Sequence, residues 1–411
     1  MAKIKEFKGV RPVVDLAVEV SEPPYDVVSL EEVKEAVKNN PNSFYRVSRA
    51  EVDLESGVDP YSDLVYQTGR KNLSQAIEKK VLEIEERQAF YLYTLVWRDK
   101  VQTGLVACVS IDDYLNGQVK KHELTREDKE KDRINHINIL QANTGPVFLL
   151  YKEDGSKRDL FEKAMALQPE YDFIAPDGVR HVLRVIKDEQ LINAFKKKFL
   201  DDDLYIADGH HRAASAVKVG CQKRDENPKH NGQEEYNYFL SVIFPHQELN
   251  ILAYNRVVKD LNSYSKNEFL EKLAEKFELK KTVDKEPKEI HFFSFYLEGE
   301  WWQAKIKAKE DKNPVNNLDA KILQDEILEP LLGISNPRTD QRINFIGGIK
   351  GTAELERLVD SGEYKIAFSL YPTTKEQLIA VSDAGELMPP KSTWFEPKLR
   401  SGLVVHLLEE I

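Results

Sequence analysis

The stretch "LYIADGHHRAASA" (204–216) decides how this chain builds a polar site into its fold. Its first four residues are apolar, which is typical of a short buried strand. The small residues from Ala213 onward predict a helix that packs closely against a neighbour. Between the two, an acid, a glycine, two histidines and an arginine occupy one strand-to-helix turn. Gly209 permits the positive φ that such a turn often needs, and it lets a ligand come close to the backbone.

This turn has the chemistry of an oxyanion site. A helix N-terminus offers free backbone N–H groups and the positive end of the helix dipole, and His210, His211 and Arg212 add side-chain donors, so a phosphate is the expected ligand. Asp208 could hold Mg²⁺, orient a histidine or accept a hydrogen bond from a ligand. The alternatives are an ordinary helix cap with a buried histidine, or a metal site. Adjacent histidines point in different directions on a helix, so zinc coordination by both is not expected.

Composition excludes several classes of protein. The chain has 411 residues, of which 41% are hydrophobic and 31% charged, as in folded globular proteins. A net charge of −11 argues against a general nucleic-acid binder, because phosphate contacts need clustered cations. Cys108 and Cys221 suggest neither a disulfide framework nor a zinc site. No apolar run approaches a membrane span and no signal-like segment is visible, so a cytoplasmic protein without a membrane partner is expected.

Hydrophobic periodicity predicts both helices and strands. Strands are expected at 89–98, 103–111 and 238–245, with a hairpin at 291–306 and alternating helices and strands in the last third. Helices are expected at 70–88, 121–142 and 188–199, and the helix after the quoted turn is expected to end near Gly220. The pattern predicts an α+β fold of mixed β-sheets with flanking helices. Three regions are expected, at 1–150, 151–260 and 261–411.

A second polar segment is "KHELTREDKEKDR" (121–133). Glu123 beside His122 could act as a general base. On a helix, Arg126, Lys129 and Arg133 would share one face. That face could meet phosphate oxygens, or it could be an ordinary solvated surface.

A third segment is "ELMPPKSTWFEPKLRSG" (386–402). Its prolines exclude a regular helix or central strand and favour an ordered loop anchored by Trp394 and Phe395. Such a loop could offer cations and hydroxyls to an anion, or it could be a structural strap over a sheet edge. The residues available to an anion are Lys391, Ser392, Thr393 and Lys398.

These motifs, together with "PPYD" (23–26), resemble the family known as domain of unknown function 1015, and the similarity extends over nearly the whole chain. The "DGHHR" turn also resembles the phosphate-binding motif of the ParB/sulfiredoxin superfamily, which includes free-serine kinases. The resemblance implies a ParB/sulfiredoxin-like core that carries large insertions. It further implies a kinase that uses ATP and Mg²⁺ to make O-phosphoserine from L-serine.

The resemblance also implies roles for individual residues. Glu123, Asp208 and His211 would be catalytic, with Asp208 also the metal ligand, and His122 and Thr125 would contact the substrate. Glu22, which precedes "PPYD", is the alternative base. The donor phosphates would be held by Gly209, His210, Arg212, Lys391, Ser392, Thr393 and Lys398. Two other functions stay open, a nucleotide-binding switch without phosphoryl transfer and a metal-dependent hydrolase, and a homodimer is compatible with the sequence.

Overall fold

The computed structural model describes residues 2–307 and 311–409, which form a mixed α+β fold with several sheets. The strands are β1 (Ile4–Lys5), β2 (Gly9–Pro12), β3 (Leu82–Ile84), β4 (Phe90–Trp97), β5 (Lys100–Ser110), β6 (Val119–Lys120), β7 (Ala142–Asn143), β8 (Val147–Tyr151), β9 (Tyr171–Ile174), β10 (Arg180–Ile186), β11 (Leu204–Asp208), β12 (Tyr238–Pro245), β13 (Ile251–Leu252), β14 (Tyr254–Val258), β15 (Phe277–Lys281), β16 (Phe292–Leu297), β17 (Glu300–Ile306), β18 (Ile343–Gly347), β19 (Ile366–Leu370), β20 (Trp394–Phe395) and β21 (Val405–Leu407).

The α-helices begin and end within the same two described ranges. They are α1 (Ala17–Val20), α2 (Leu30–Lys38), α3 (Tyr45–Ser48), α4 (Asp63–Glu78), α5 (Ile111–Leu115), α6 (Glu127–Leu140), α7 (Arg158–Met165), α8 (Glu189–Phe199), α9 (His210–Glu226), α10 (Lys266–Lys276), α11 (Asp319–Leu323), α12 (Gly351–Asp360) and α13 (Lys375–Asp383). A π-helix, Gln324–Leu328, continues directly from α11.

The chain divides into two compact units. Unit 1 is Met1–Leu249 together with Pro397–Ile411, and unit 2 is Asn250–Glu396. The predicted boundaries, after residues 150 and 260, lie elsewhere. Strand β8 pairs with both β11 and β12, so segments on either side of position 150 belong to one sheet. Such pairing between distant segments has no local sequence signal.

Unit 1 is built on a mixed sheet with the strand order β6-β11-β8-β12-β5-β4-β10-β9, and β1 pairs with β5 at its side. The pairs β11–β6 and β12–β8 are parallel, and the other pairs are antiparallel. A second, four-stranded sheet has the order β3-β2-β21-β7. The buried core of the unit includes Leu149, Ile206, Ala213 and Phe239. Strand β11 and helix α9 therefore rest on a well-packed scaffold.

Helix α9 lies directly against α6. Its residues Ala213, Ala214 and Ala216 are buried, and the Ser215 hydroxyl donates to the carbonyl of Glu130 on α6 at 3.2 Å. Small side chains allow this close approach. The packing brings the N-terminal turn of α9 beside the middle of α6, and both elements contribute side chains to the site described below.

Unit 2 has its own sheet and core. The six-stranded order is β15-β17-β16-β19-β14-β18, with every pair antiparallel, and β13 pairs separately with β20. Phe269, Phe295 and Phe368 lie in the buried core of this unit. The β16–β17 hairpin turns at Glu298 and Gly299, whose φ values of 50° and 79° fit a two-residue turn. This turn confirms the sequence prediction.

Most predicted strands are confirmed, and the largest errors concern helix ends. The predicted helix at 70–88 is in fact Asp63–Glu78, followed by strand β3. The prediction that α9 ends near Gly220 is wrong, because the helix continues to Glu226. A Cβ at Gly220 would lie 2.4 Å from the Tyr236 carbonyl oxygen. Close packing, and not helix termination, is what requires glycine there.

Candidate functional site

The turn between β11 and α9 has the left-handed backbone that the sequence predicts. Gly209 has φ 93° and ψ 30° and stands at the N-cap of α9, where no side chain caps the helix. A Cβ at Gly209 would also lie 3.1 Å from Cζ of Arg212. Both the positive φ and this close approach favour glycine. The uncapped N-terminus leaves backbone donors of the first helical turn available to a ligand.

Asp208 is held in its charged form by two cations. Its Oδ2 lies 3.2 Å from the Lys398 Nζ and 3.7 Å from an Arg212 nitrogen, and its Oδ1 accepts a hydrogen bond from the Gly209 N–H at 2.9 Å. Burial opposes ionisation, but the charges of Lys398 and Arg212 outweigh it and lower the pKa of this carboxyl. A shift in strand register between Ile206 and Asp208 marks a bulge, which re-aims the end of the strand.

Arg212 is a buried cation with spare hydrogen-bonding capacity. It is 9% exposed, one terminal nitrogen donates to the Pro146 carbonyl, and its buried Nε has no partner among the described residues. Burial disfavours the charge, but the carboxylates of Asp26 and Asp208 outweigh it and raise the Arg212 pKa. The guanidinium therefore stays protonated and keeps a donor available for an additional acceptor.

A second buried arginine faces the same cavity. Arg133, on α6, stacks on the Tyr25 ring with 3.9 Å from Cζ to the ring centroid and pairs with Asp132 at 2.6 Å. Arg133, Arg212 and Tyr25 line a cavity of about 30 Å³ together with Gly145. This volume suits one small group and not a whole nucleotide. Two guanidinium groups on one cavity wall favour an oxyanion.

His122 and His210 are buried and neutral. The rings of His122 and His210 meet edge to face, with centroids 4.5 Å apart. Burial is the main cause that lowers the pKa of each to about 3. Both ring nitrogens of His122 and the Nε2 of His210 are buried and have no hydrogen-bond partner in the described part of the chain. His122 is fully buried, so its predicted contact with substrate stays a prediction, and its visible contact is with His210.

Glu123 is a carboxylate close to this histidine pair. Its Oε2 lies 3.7 Å from the His210 Nδ1, and its side chain is about one-third exposed (34%). Burial also lowers the pKa of the half-buried His211, whose Nδ1 has no partner among the described residues. Thr125 points elsewhere, because its hydroxyl donates to the Glu130 carboxylate, which also pairs with Lys218.

Of the three cations expected on one face of α6, only Arg133 reaches the cavity. Arg126 is exposed and pairs with Asp128 at 2.8 Å, and Lys129 is exposed and hydrogen-bonds the Tyr61 hydroxyl at 3.0 Å. The sequence gives these three side chains equivalent positions on a helix. In the structure Arg126 precedes the first residue of α6 and has extended backbone, with φ −94° and ψ 133°. Lys129 and Arg133 both lie on α6 and differ because neighbours cover one part of the helix and leave the other in water.

The segments around "PPYD" and "KLRSG" meet in unit 1 through a β-bridge. The Glu22 N–H donates to the Ser401 carbonyl at 3.0 Å, and the Ser401 N–H donates back to Glu22 at 2.8 Å. A Cβ on the cavity residue Gly145 would lie 3.3 Å from the Ser401 Oγ. Glu22 thus belongs to the surroundings of the cavity.

Glu22 itself has the properties of a proton acceptor. It accepts a hydrogen bond from the Ser43 hydroxyl at 2.6 Å, and burial raises its pKa, against the opposing effects of Ser43 and Arg400. Arg400 is 4% exposed and pairs with Asp177. The site residues predicted from the sequence do not include Arg400, Tyr25 or Gly145. The only signal was that "PPYD" and "KLRSG" are rigid polar segments, since nothing local shows that they meet.

Lys391, Ser392 and Thr393 belong to unit 2, and the contacts of Lys391 and Ser392 lie within that unit. The Lys391 Nζ lies 5.3 Å from the Tyr254 ring centroid, and the Ser392 hydroxyl donates to the Pro389 carbonyl at 2.8 Å. Trp394 and Phe395 form strand β20, which pairs with β13 and so fixes this part of the segment. A role of residues 391–393 in nucleotide binding stays a prediction.

The residues of the turn do not fit a protein-held magnesium site. Mg²⁺ prefers carboxylate and water oxygens in octahedral geometry, whereas both Asp208 oxygens already face hydrogen-bond donors or cations. In the described ranges no group of three or more His, Cys, Asp or Glu side chains is placed to hold a metal ion. The metal role predicted for Asp208 therefore has no supporting arrangement here.

The helices of the described chain include none that is both long and apolar enough to cross a membrane. The cytoplasmic location and the homodimer remain predictions.

Comparison with known proteins places the chain in a family. The family described as "Protein of unknown function (DUF1015)" matches residues 4–321, and the chain belongs to this family. A search of curated proteins found no match. Membership confirms the resemblance seen in the sequence motifs.

Three solved structures are similar to this chain, each with a low TM-score. A free serine kinase in complex with AMP has 16% identity and a TM-score of 0.35, covering 71% of this chain and 86% of its own. SbnI with a C-terminal truncation, from Staphylococcus aureus, has 11% identity and a TM-score of 0.38, with coverages of 72% and 85%. A conserved hypothetical protein from Pyrococcus furiosus has 17% identity and a TM-score of 0.35, with coverages of 76% and 98%. Because these scores are low, the function proposed below rests on the geometry of the site.

Proposed function

We propose that this protein is a kinase that transfers a phosphoryl group from ATP to the hydroxyl of a free amino acid, with L-serine as acceptor and O-phosphoserine as product. The observation that carries the proposal is the pair of buried guanidinium groups, Arg133 and Arg212, facing one small cavity beside an uncapped helix N-terminus. Phosphoryl transfer depends mainly on positioning and charge stabilisation, which such groups supply. A ParB/sulfiredoxin-like core for unit 1 is part of this proposal.

In this proposal the turn binds the donor phosphates. Backbone N–H groups at the start of α9 and the spare donor of Arg212 bind phosphate oxygens. His210 and His211 are neutral at pH 7, because burial lowers their pKa, and each could donate one N–H. Asp208 keeps Lys398 and Arg212 in place through its ion pairs. No step is assigned to a metal ion held by the protein.

Two carboxylates are candidates for the base that takes the hydroxyl proton. Glu123 lies near His210 and is partly open to solvent. Glu22 is half-buried with a raised pKa, which suits a general base at neutral pH. Glu123→Gln and Glu22→Gln keep the side-chain shape and remove the basic oxygen. We expect the variant that removes the true base to lose at least ~100-fold in kcat with little change in ATP affinity. The other variant should retain most of the activity.

A screen of donor nucleotides against free amino acids, followed by ³¹P NMR, tests the proposal directly. We expect a phosphomonoester product with ATP and L-serine. ATP binding without turnover on any amino acid, accompanied by a nucleotide-dependent change of oligomeric state, would show a nucleotide-binding switch instead. If the purified protein contains a stoichiometric transition metal and hydrolyses its substrate only when that metal is present, the hydrolase alternative would be supported.

A further inference from the structure

Unit 2 contains a second cavity, which is larger than the one beside α9. Its volume is about 270 Å³, at the lower end of the range for small-molecule pockets. The wall is mainly apolar and is shared between the helical segment after residue 314, strand β18 and the "MPP" part of the C-terminal loop. Its apolar members include Val315, Leu328, Phe345, Met388, Pro389 and Pro390.

One charged side chain, Arg256 on β14, stands out on this wall. It is 3% exposed, although a buried charge is costly unless an opposite charge accompanies it. Its terminal nitrogens donate to two backbone carbonyls, those of Tyr254 and of Lys391, the latter at 3.0 Å. Its Cζ lies 5.4 Å from the Phe345 ring centroid. Over the described residues, no carboxylate is among these contacts.

The electrostatics of Arg256 agree with this geometry. Burial lowers its pKa to about 10, and the Tyr254 side chain is the one opposing group. The cavity wall carries no Asp or Glu side chain in the described ranges, and its other cation, Lys321, already pairs with Asp325 at 2.7 Å. A negatively charged ligand would therefore meet a guanidinium that no carboxylate within residues 2–307 or 311–409 neutralises.

A polar group on the same wall also lacks a partner. The Gln324 Oε1 is buried and accepts no hydrogen bond from the described residues, although its Nε2 donates to the Ile334 carbonyl at 2.8 Å. Gln324 begins the π-helix Gln324–Leu328. Short π-helical turns are frequent at functional sites. An N–H or O–H donor on a ligand would satisfy this oxygen.

We propose that this cavity binds a small organic monocarboxylate with an apolar body, whose carboxylate pairs with Arg256. A guanidinium matches a planar carboxylate in a two-point hydrogen bond, and the apolar wall would cover the rest of the molecule. A nucleotide polyphosphate is a poor fit, since one uncompensated cation cannot balance several negative charges. The assignment also gives the "MPPK" segment a function separate from phosphate binding, as one wall of this site and a backbone partner of Arg256.

Calorimetry with the full chain tests the proposal. The probes are benzoate and hexanoate, each with its neutral amide, and phenyl phosphate. We expect at least one carboxylate to bind at least ~10-fold more tightly than its amide, because only the carboxylate pairs with the guanidinium. Absence of binding by both carboxylates, equal binding of acid and amide, or preferential binding of phenyl phosphate would each overturn the proposal.

Variants locate the binding. Gln324→Glu nearly preserves shape and places a competing carboxylate on the cavity wall, so that carboxylate binding should fall ~10-fold or more while binding of the neutral amides does not weaken. This variant does not remove a buried charge, and circular dichroism would verify that it folds. The matched control Arg357→Gln changes an exposed arginine of the same unit, which pairs with Glu354, and should bind like the parent. Carboxylate binding that persists unchanged in Gln324→Glu would contradict the assignment.

Discussion

The two buried arginines Arg212 and Arg256 present opposite electrostatic situations in one chain. Arg212 in unit 1 is surrounded by the carboxylates of Asp208 and Asp26, and its pKa is raised in spite of burial. Arg256 in unit 2 has backbone carbonyls and an aromatic face as its partners, and burial lowers its pKa to about 10.

The difference teaches how each site can bind an anion. In unit 1 nearby carboxylates already balance the positive charges of the site. We therefore expect a ligand to be recognised by the arrangement of hydrogen-bond donors from a helix N-terminus, two guanidinium groups and neutral histidines. In unit 2 a single charge lacks an opposite partner among the described residues, so a single negative group is the natural ligand. Under the two proposals, the same residue type would serve a preorganised phosphate site in unit 1 and a one-charge pocket in unit 2.

The largest expected effect is at Arg212. Arg212→Lys keeps the positive charge but removes the planar guanidinium. In the parent chain, one terminal nitrogen of that group donates to the Pro146 carbonyl, while Nε has no partner among the described residues. We expect ATP affinity to fall roughly 100-fold, or about 3 kcal/mol, by calorimetry. Arg224→Lys is the matched control at the other end of α9, where the arginine pairs with Asp112. An equal loss in both variants would contradict a specific role for Arg212.

Acid should destabilise unit 1. The pKa values of His122 and His210 are about 3 in the folded chain, against about 6.5 when unfolded. The unfolded state therefore binds more protons between these values, and stability falls as pH drops from about 6.5 toward 3. We expect α9 amides, in hydrogen exchange corrected for intrinsic rates, to lose at least ~3 kcal/mol of protection between pH 7 and pH 4. His122→Asn should make the decrease of protection with pH shallower. Equal protection of the parent chain at both pH values would contradict the proposed role of the histidines in acid destabilisation.

Unit 2 contains a group whose effect on stability has the opposite pH dependence. Burial raises the pKa of Asp319 to about 7, so its favourable contribution is present below the unfolded value near 4 and is lost as pH rises through 7. Asp319→Asn should therefore stabilise unit 2 at pH 8 by about 1–2 kcal/mol and give no gain at pH 4. Hydrogen exchange of the β16–β17 hairpin measures this effect. The exposed Asp284→Asn serves as control, and a gain of equal size at both pH values would show that ionisation is not the cause.

The smallest expected effects distinguish two left-handed glycines. Gly299→Ala meets no atom within 4 Å of the new Cβ, so it should cost only the backbone strain, about 1 kcal/mol. Gly209→Ala carries the same strain and also presses on the Arg212 guanidinium at 3.1 Å. We therefore expect Gly209→Ala, but not Gly299→Ala, to weaken ATP binding in calorimetry. Equal ATP affinity in the two variants would mean that the approach of Gly209 to Arg212 does not matter for binding.

Sequence patterns predicted the local parts of the fold well. The strands predicted at 89–98 and 103–111, the hairpin predicted at 291–306 and the helix predicted at 188–199 are confirmed, because each depends on residues close together in the chain. Helix ends were predicted less well. Gly220 resembles a stop signal, but in α9 it answers a steric requirement set by Tyr236, which lies on another element.

The sequence by itself determined the strand at 204–208, the glycine turn and the start of the helix at residue 210, because backbone preference and hydrophobic pattern are local properties. Tertiary structure alone decided which polar side chains meet. Lys398 reaches Asp208 across 190 positions of chain, and Arg133 is buried against Tyr25 while Arg126 on the same segment stays in water. The physical reason is that burial and charge compensation depend on what packs across from a residue, and a local pattern carries no record of that neighbour.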